Sequence, residues 1–171
     1  MAATILTLTF ALNCSAQENC KRHTEPEGGF SFCPPEGWDI AEDSRLKFKT
    51  VIGPSSDGFT PNINVVEAHY PRSLNEFVSY AIKYYSARAK NLGATYINML
   101  NQSEFTTFSK QQGIRVAFQS ENKGLVLRTT QYYFSEKGDG KLIITFTALE
   151  KDSKVLEPVF DHTTKTLQID K

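Results

Sequence analysis

The stretch Gly113–Leu149, GIRVAFQSENKGLVLRTTQYYFSEKGDGKLIITFTAL, decides the fold. Ile114, Val116 and Phe118 alternate with Arg115, Ala117 and Gln119. That period of two belongs to a strand with one buried face. Glu121-Asn122-Lys123-Gly124 then breaks the pattern, with glycine where a turn needs a positive φ. Leu125–Phe134 reads as a second strand, Lys137-Gly138-Asp139-Gly140 as a second turn, and Leu142–Ala148 as a third strand. Parallel strands need a crossover of a dozen or more residues, so turns this short join antiparallel neighbours. The stretch therefore predicts an antiparallel meander.

Upstream, Phe30–Cys33, Trp38–Ile40, Leu46–Ile52 and Ile63–Ala68 carry shorter extended signals. Pro34-Pro35 ends the first of them, because proline donates nothing to a ladder. Trp38 reads as a core anchor. Ser73-Leu74-Asn75-Glu76 is a capping box, and Phe77, Ala81, Tyr84 and Tyr85 follow at helical spacing up to a stop at Gly93. Ala94–Leu100 and Ser103–Phe108 read as two further extended pieces. A final helix, capped by Asp152 or Ser153 and running to about Leu167, places Val155, Leu156, Val159 and Phe160 on one face. Pro158 fits that helix only within its first turn. Strands, helix, strands, helix is the order of an α+β domain: a central antiparallel β-sheet with helices packed on its faces, an αβα sandwich.

The chain has 171 residues, which suits one domain with one core. Lysine plus arginine equals aspartate plus glutamate, 19 each, so no global field draws the chain to nucleic acid. Ala2–Leu12 is apolar apart from threonine, and no charge appears before Glu18. It is too short to span a bilayer and matches the apolar core of a secretory signal. Two exits are readable. Ala11-Leu12-Asn13-Cys14 approximates a lipobox that would lipidate Cys14 and anchor the chain to a membrane; cleavage after Ala16 would leave Gln17 first and the chain soluble. A buried N-terminal strand is the competing reading of Ile5–Thr9. The expected organisation is a signal over residues 1–16, a polar linker arm over 17–28, and a single domain over 29–169. Cys20 and Cys33 either pair in an oxidising compartment, tying the arm to the first strand, or remain two thiols.

Gly29-Phe30-Ser31-Phe32-Cys33-Pro34-Pro35-Glu36-Gly37-Trp38 resembles the opening phrase G-F-x-F-x-x-P-x-G-W of PsbP-like domains. The resemblance extends, at the level of topology, through the Ser73-Leu74 helix start and the meander to the last helix. It implies the αβα sandwich again. Family members include an extrinsic subunit of photosystem II, exported or lipid-anchored bacterial proteins, and a eukaryotic binder of the GTPase Ran, and they are binding or assembly proteins rather than enzymes. No functional residue carries over one by one.

No catalytic constellation, cofactor motif or metal pattern stands out. The sequence has no G-x-S-x-G elbow and no phosphate-cradling glycine loop. His23, His69 and His162 lie far apart; Glu67 with His69, and Asp161 with His162, are the nearest approach to a ligand set. Asp43, Asp57 and Asp139 sit in loops without calcium-loop spacing. Asn101-Gln102-Ser103 is a glycosylation sequon. Tyr132 and Tyr133 point to opposite faces, so one of them is expected at the surface. Arg128 shares a face with Tyr132, and the pair is the candidate surface for a protein partner. The expectation is an exported, non-enzymatic binding or accessory domain, monomeric, in the periplasm or cell envelope. A photosystem II accessory protein of the thylakoid lumen, a periplasmic metal-dependent or small-molecule enzyme, and an intracellular GTPase binder are the alternatives.

Overall fold

The computed structural model describes residues 20–91 and 93–170. In chain order its elements are β1 (His23–Glu25), β2 (Phe30–Phe32), β3 (Asp39–Ala41), β4 (Thr50–Ile52), β5 (Asn62–His69), α1 (Leu74–Asn91), β6 (Ala94–Thr106), β7 (Gln112–Asn122), β8 (Leu125–Ser135), β9 (Gly140–Leu149), α2 (Ser153–Lys165) and β10 (Gln168–Ile169). The meander is β7, β8 and β9. It sits inside a seven-stranded antiparallel sheet of order β3-β4-β5-β9-β8-β7-β6. A second sheet, β1-β2-β10, holds both ends of the described chain together.

The pleat sorts each strand's side chains between two covers. Val65, Tyr132, Ile144 and Phe146 face α2, whose Phe160 ring lies 4.5 Å from Phe146. Phe30 and Phe32 of the small sheet complete that layer. Trp38 meets Phe160 edge-on at 5.9 Å and leaves no room for a β-carbon at Gly53. Ile114, Val116, Phe118 and Tyr133 face the other way, under Phe77 and Val78 of α1. Each buried ring or branched chain contributes about 1.5–3 kcal/mol relative to exposure. The result is the expected α+β sandwich with a helix on each face of the sheet.

The capping box forms as read. The Glu76 N–H donates to Ser73 Oγ and the Ser73 N–H donates to the Glu76 carboxylate, both at 3.3 Å. The Ser73 hydroxyl, which also donates to that carboxylate at 2.9 Å, and then the Ser73 N–H hold the carboxyl below the usual range. Gly93, at φ 92°, closes the helix by donating to the Lys90 carbonyl.

Several local expectations need correction. The arm read as linker contains β1. Its Pro-Glu-Gly-Gly run is a tight turn, closed by Gly28 donating to the Glu25 carbonyl, that folds His23–Glu25 onto β2. The strand expected over Leu46–Ile52 shortens to Thr50–Ile52, because the chain turns at Asp43–Leu46 to send Phe48 against Phe30. The two extended pieces after α1 are one strand, β6, with register shifts that absorb its polar middle. Neither Asp152 nor Ser153 caps α2 with its side chain; a 3-10 turn over Glu150–Asp152 leads into the helix instead. Pro158 lies inside α2 rather than in its first turn, on an exposed face.

The N-terminal strand is tied covalently. Cys20 and Cys33 form a disulfide, with α-carbons 5.8 Å apart and a sequence separation of 13. Closing a loop of that size restricts the unfolded chain by about 3 kcal/mol. The double variant Cys20→Ser, Cys33→Ser is expected to lose roughly 2–4 kcal/mol in urea unfolding, with its midpoint matching the reduced native chain.

Candidate functional site

The expected partner surface is not a surface. Tyr132 and Tyr133 are both buried, at 0% and 1% exposure, because the sheet is covered on both faces at β8. Arg128 is also engaged. It forks onto Glu150 at 2.6 and 2.9 Å and donates to Glu157 at 2.8 Å. Arg115, one strand over, reaches Asp161 at 3.1 Å and Glu157 at 3.2 Å, and donates to Asn101 at 3.0 Å. The Tyr132 hydroxyl donates to the same Asp161 carboxylate. Arg128 and Tyr132 thus fasten α2 to the sheet.

Other sequence candidates disperse. His69 lies 3.7 Å from Asp139, and Glu67 takes Lys47 at 2.6 Å. Asp43 is held by Arg45 and Asp57 by Lys151. Among the described residues no cluster of His, Cys, Asp or Glu is arranged to hold a metal. The sequon asparagine, Asn101, is exposed on β6. Cys14 lies outside the described residues.

The site that emerges is a groove on the α1 face. The helix lies over β6, β7 and β8, Ala68 of β5 and Ile143 of β9 reach only the edge of the cluster beneath it, and a cavity of about 430 Å³ lies beside it. One wall is Ala81, Tyr84, Tyr85, Arg88 and Ala89 of α1; Leu46, Val66, Leu127 and Ile143 add apolar rim. The floor is polar: Asn64 of β5, Thr145 and Thr147 of β9, Thr129 and Gln131 of β8, and Ser120 and Asn122 of β7. These groups are pre-set. Thr50 donates to Asn64 at 2.9 Å, Gln131 donates to Thr145 Oγ1 at 3.2 Å, and the Tyr133 hydroxyl donates to Gln131. The Tyr85 hydroxyl is hydrogen-bonded to the Ser120 and Thr129 side chains. A concave site of this size with apolar walls and a few converging polar groups has the form of a small-ligand pocket.

Its ionisable side chains are tyrosines and one arginine. Among the described residues no carboxylate, imidazole or thiol lines it. Burial pushes the phenols of Tyr85 and Tyr133 up, further from neutrality. The arrangement can orient a ligand through its hydroxyls and amides. Nothing in the sequence marks Thr129, Gln131, Thr145 and Thr147 as a set, because only the pairing of β8 with β9 brings them together.

No protein-family model and no curated protein matches the chain. Solved structures do. Cyanobacterial PsbP (CyanoP) from Synechocystis sp. PCC 6803 superposes with a TM-score of 0.67 at 12% identity, over 87% of this chain and 91% of that one. The chain has the PsbP-like fold. LpqN, involved in cell envelope biogenesis of Mycobacterium tuberculosis, follows the PsbP-like core with a TM-score of 0.63 at 13% identity, covering 91% and 88% of the two chains. The Saccharomyces cerevisiae Ran-binding protein Mog1p gives 0.59 at 11% identity, covering 88% and 95%. At these identities the likeness is one of fold, so residue roles in this PsbP-like chain must come from its own geometry.

Two outcomes follow from that geometry. Arg128→Met leaves Glu150 without its fork and is expected to cost about 2 kcal/mol in urea unfolding, below the 3–5 kcal/mol of a fully buried pair because these carboxylates are partly solvated. The second concerns alkaline pH. Burial is the main cause that raises the phenols of Tyr85, Tyr132 and Tyr133 above the ordinary value near 10; beside Tyr132 the Asp161 charge adds to it. The unfolded chain then sheds these protons first, so it binds fewer protons than the native state above about pH 10. Stability is therefore full below that pH and falls above it, by up to roughly 1.4 kcal/mol per pH unit for each phenol. Urea midpoints between about pH 8 and 11, with tyrosinate absorbance followed in parallel, measure both quantities.

Proposed function

We propose that this chain is an exported, non-enzymatic binding or accessory domain that acts through the groove beside α1. The observation that carries the reading is the groove's chemistry: neutral hydroxyls and amides on the floor, tyrosines on the wall, and no acid, base or nucleophile poised near neutrality. A metal-dependent or acid–base enzyme needs groups that this groove does not supply.

Export is supported by the apolar segment Ala2–Leu12 and by the Cys20–Cys33 disulfide, which persists in oxidising compartments. The same disulfide argues against an intracellular role like that of the Ran-binding Mog1p, despite the shared fold. LpqN, a protein of cell envelope biogenesis, offers the nearer analogy. Lipidation of Cys14 would hold the domain at a membrane; cleavage after Ala16 would release it.

Intact-mass spectrometry of the protein from its native cell is the test. The expected mass begins at Cys14 with acyl chains or at Gln17 without them, and is two hydrogens short of the dithiol. A chain that retains Met1 and two free thiols would overturn export.

A further inference from the structure

Resting on the groove reading above, we infer that the occupant is a neutral polyhydroxylated ring, a sugar unit, stacked against Tyr84 and hydrogen-bonded to the floor. A cation finds no carboxylate there. An anion finds one guanidinium, Arg88, and that side chain is exposed at the rim. A purely apolar ligand would shut the half-buried Asn64, Thr145 and Thr147 away from water without adding a partner for any of them. Leaving buried donors and acceptors unmet is costly. The Asn122 Oδ1 atom makes the point sharply: it is buried, it borders the groove, and no donor among the described residues reaches it. A ligand bearing several hydroxyls matches such a floor, because each hydroxyl both donates and accepts.

The wall supplies the second half of the match. Tyr84 is 54% exposed, a large apolar surface left open at the lip of the groove. It continues a stacked row along the protein surface: Tyr84 to Tyr80 at 6.2 Å and 17°, then Tyr80 to Tyr70 at 5.7 Å and 24°. The faces of these rings carry negative potential. The C–H faces of a sugar ring carry the opposite sign and are flat enough to lie on them. Stacking on Tyr80 holds the Tyr84 ring in place at the lip, and a polar groove of about 430 Å³ beside it suits one or two sugar units.

The experiment is a titration of the full isotope-labelled chain, followed by amide and side-chain NH₂ correlation spectra. The probes are glucose, N-acetylglucosamine, maltose and cellobiose, with dextran as a polymer, laurate as an apolar probe and inorganic phosphate as an anion. The expected result is saturable shifts at Asn64, Gln131, Thr145 and Tyr84 with at least one sugar. Tyr84→Ala should weaken that binding roughly two- to tenfold, the range of one aromatic contact, while leaving thermal unfolding unchanged. Thr147→Val, which keeps the shape and removes the hydroxyl, should weaken it as well. Dextran competing at the same residues places the sugar on a polymer; dextran without effect makes it a free saccharide. Shifts from laurate or phosphate alone overturn the sugar and leave the binding domain standing. A groove silent to every probe overturns the sugar and the groove reading together.

Discussion

The whole molecule depends on the sheet being covered on both faces at its centre. Tyr132 and Tyr133 are neighbours in sequence, and the pleat sends one to each face. Both are buried. That single fact requires two covers. Tyr132 lies beneath α2 and the small sheet, with Phe146 at 5.5 Å and Phe105 at 4.8 Å; Tyr133 lies beneath α1, with Phe77 at 6.0 Å. A sheet with one solvated face would alternate apolar with polar residues there, whereas Tyr132, Tyr133 and Phe134 are all buried.

Where a cover ends, the side chains change character, and this explains both polar assemblies. On the α2 face, the apolar layer gives way to Arg115 and Arg128, which meet the carboxylates of Glu150, Glu157 and Asp161. The arginines rise from the sheet and the carboxylates come from α2 and the turn before it. Their planar forks fix the helix rotation in a way that smooth apolar packing does not. An ion network of this kind contributes little net stability over an apolar equivalent, but removing one member strands the others. On the α1 face the cover simply stops. There the sheet presents Asn64, Thr129, Gln131, Thr145 and Thr147 to a cavity rather than to a helix. One face is closed by charge and the other is left open with neutral groups.

Much of this was legible in the chain. The period-two runs in Gly113–Leu149 set the meander, and Ser73 with Glu76 set the start of α1, because strand pleat and capping box are local physics. The errors came where local signals are ambiguous. Pro26, Gly28 and Gly29 punctuate a linker and a hairpin turn alike; only pairing with Phe30–Phe32 tells them apart. Arg128 and Tyr132 read as recognition residues because arginine beside tyrosine looks the same whether a partner or α2 covers it. The groove's polar floor was visible as alternation in Thr145, Phe146 and Thr147. That α1 would cover only part of that face was not visible, since it depends on where the helix lands.

The PsbP-like fold leaves this choice open. CyanoP, LpqN and Mog1p share the sheet and the helices at identities of 11–13%, so the architecture is kept while almost every side chain is free to differ. The core positions are constrained by volume and polarity alone, which many residues satisfy. Positions beyond the edge of a helical cover are constrained by neither. They can change without unfolding the domain, and they already line a concavity. In this chain the chemistry is hydroxyl, amide and tyrosine, and it is from those groups, rather than from the shared sheet, that a function has to be read.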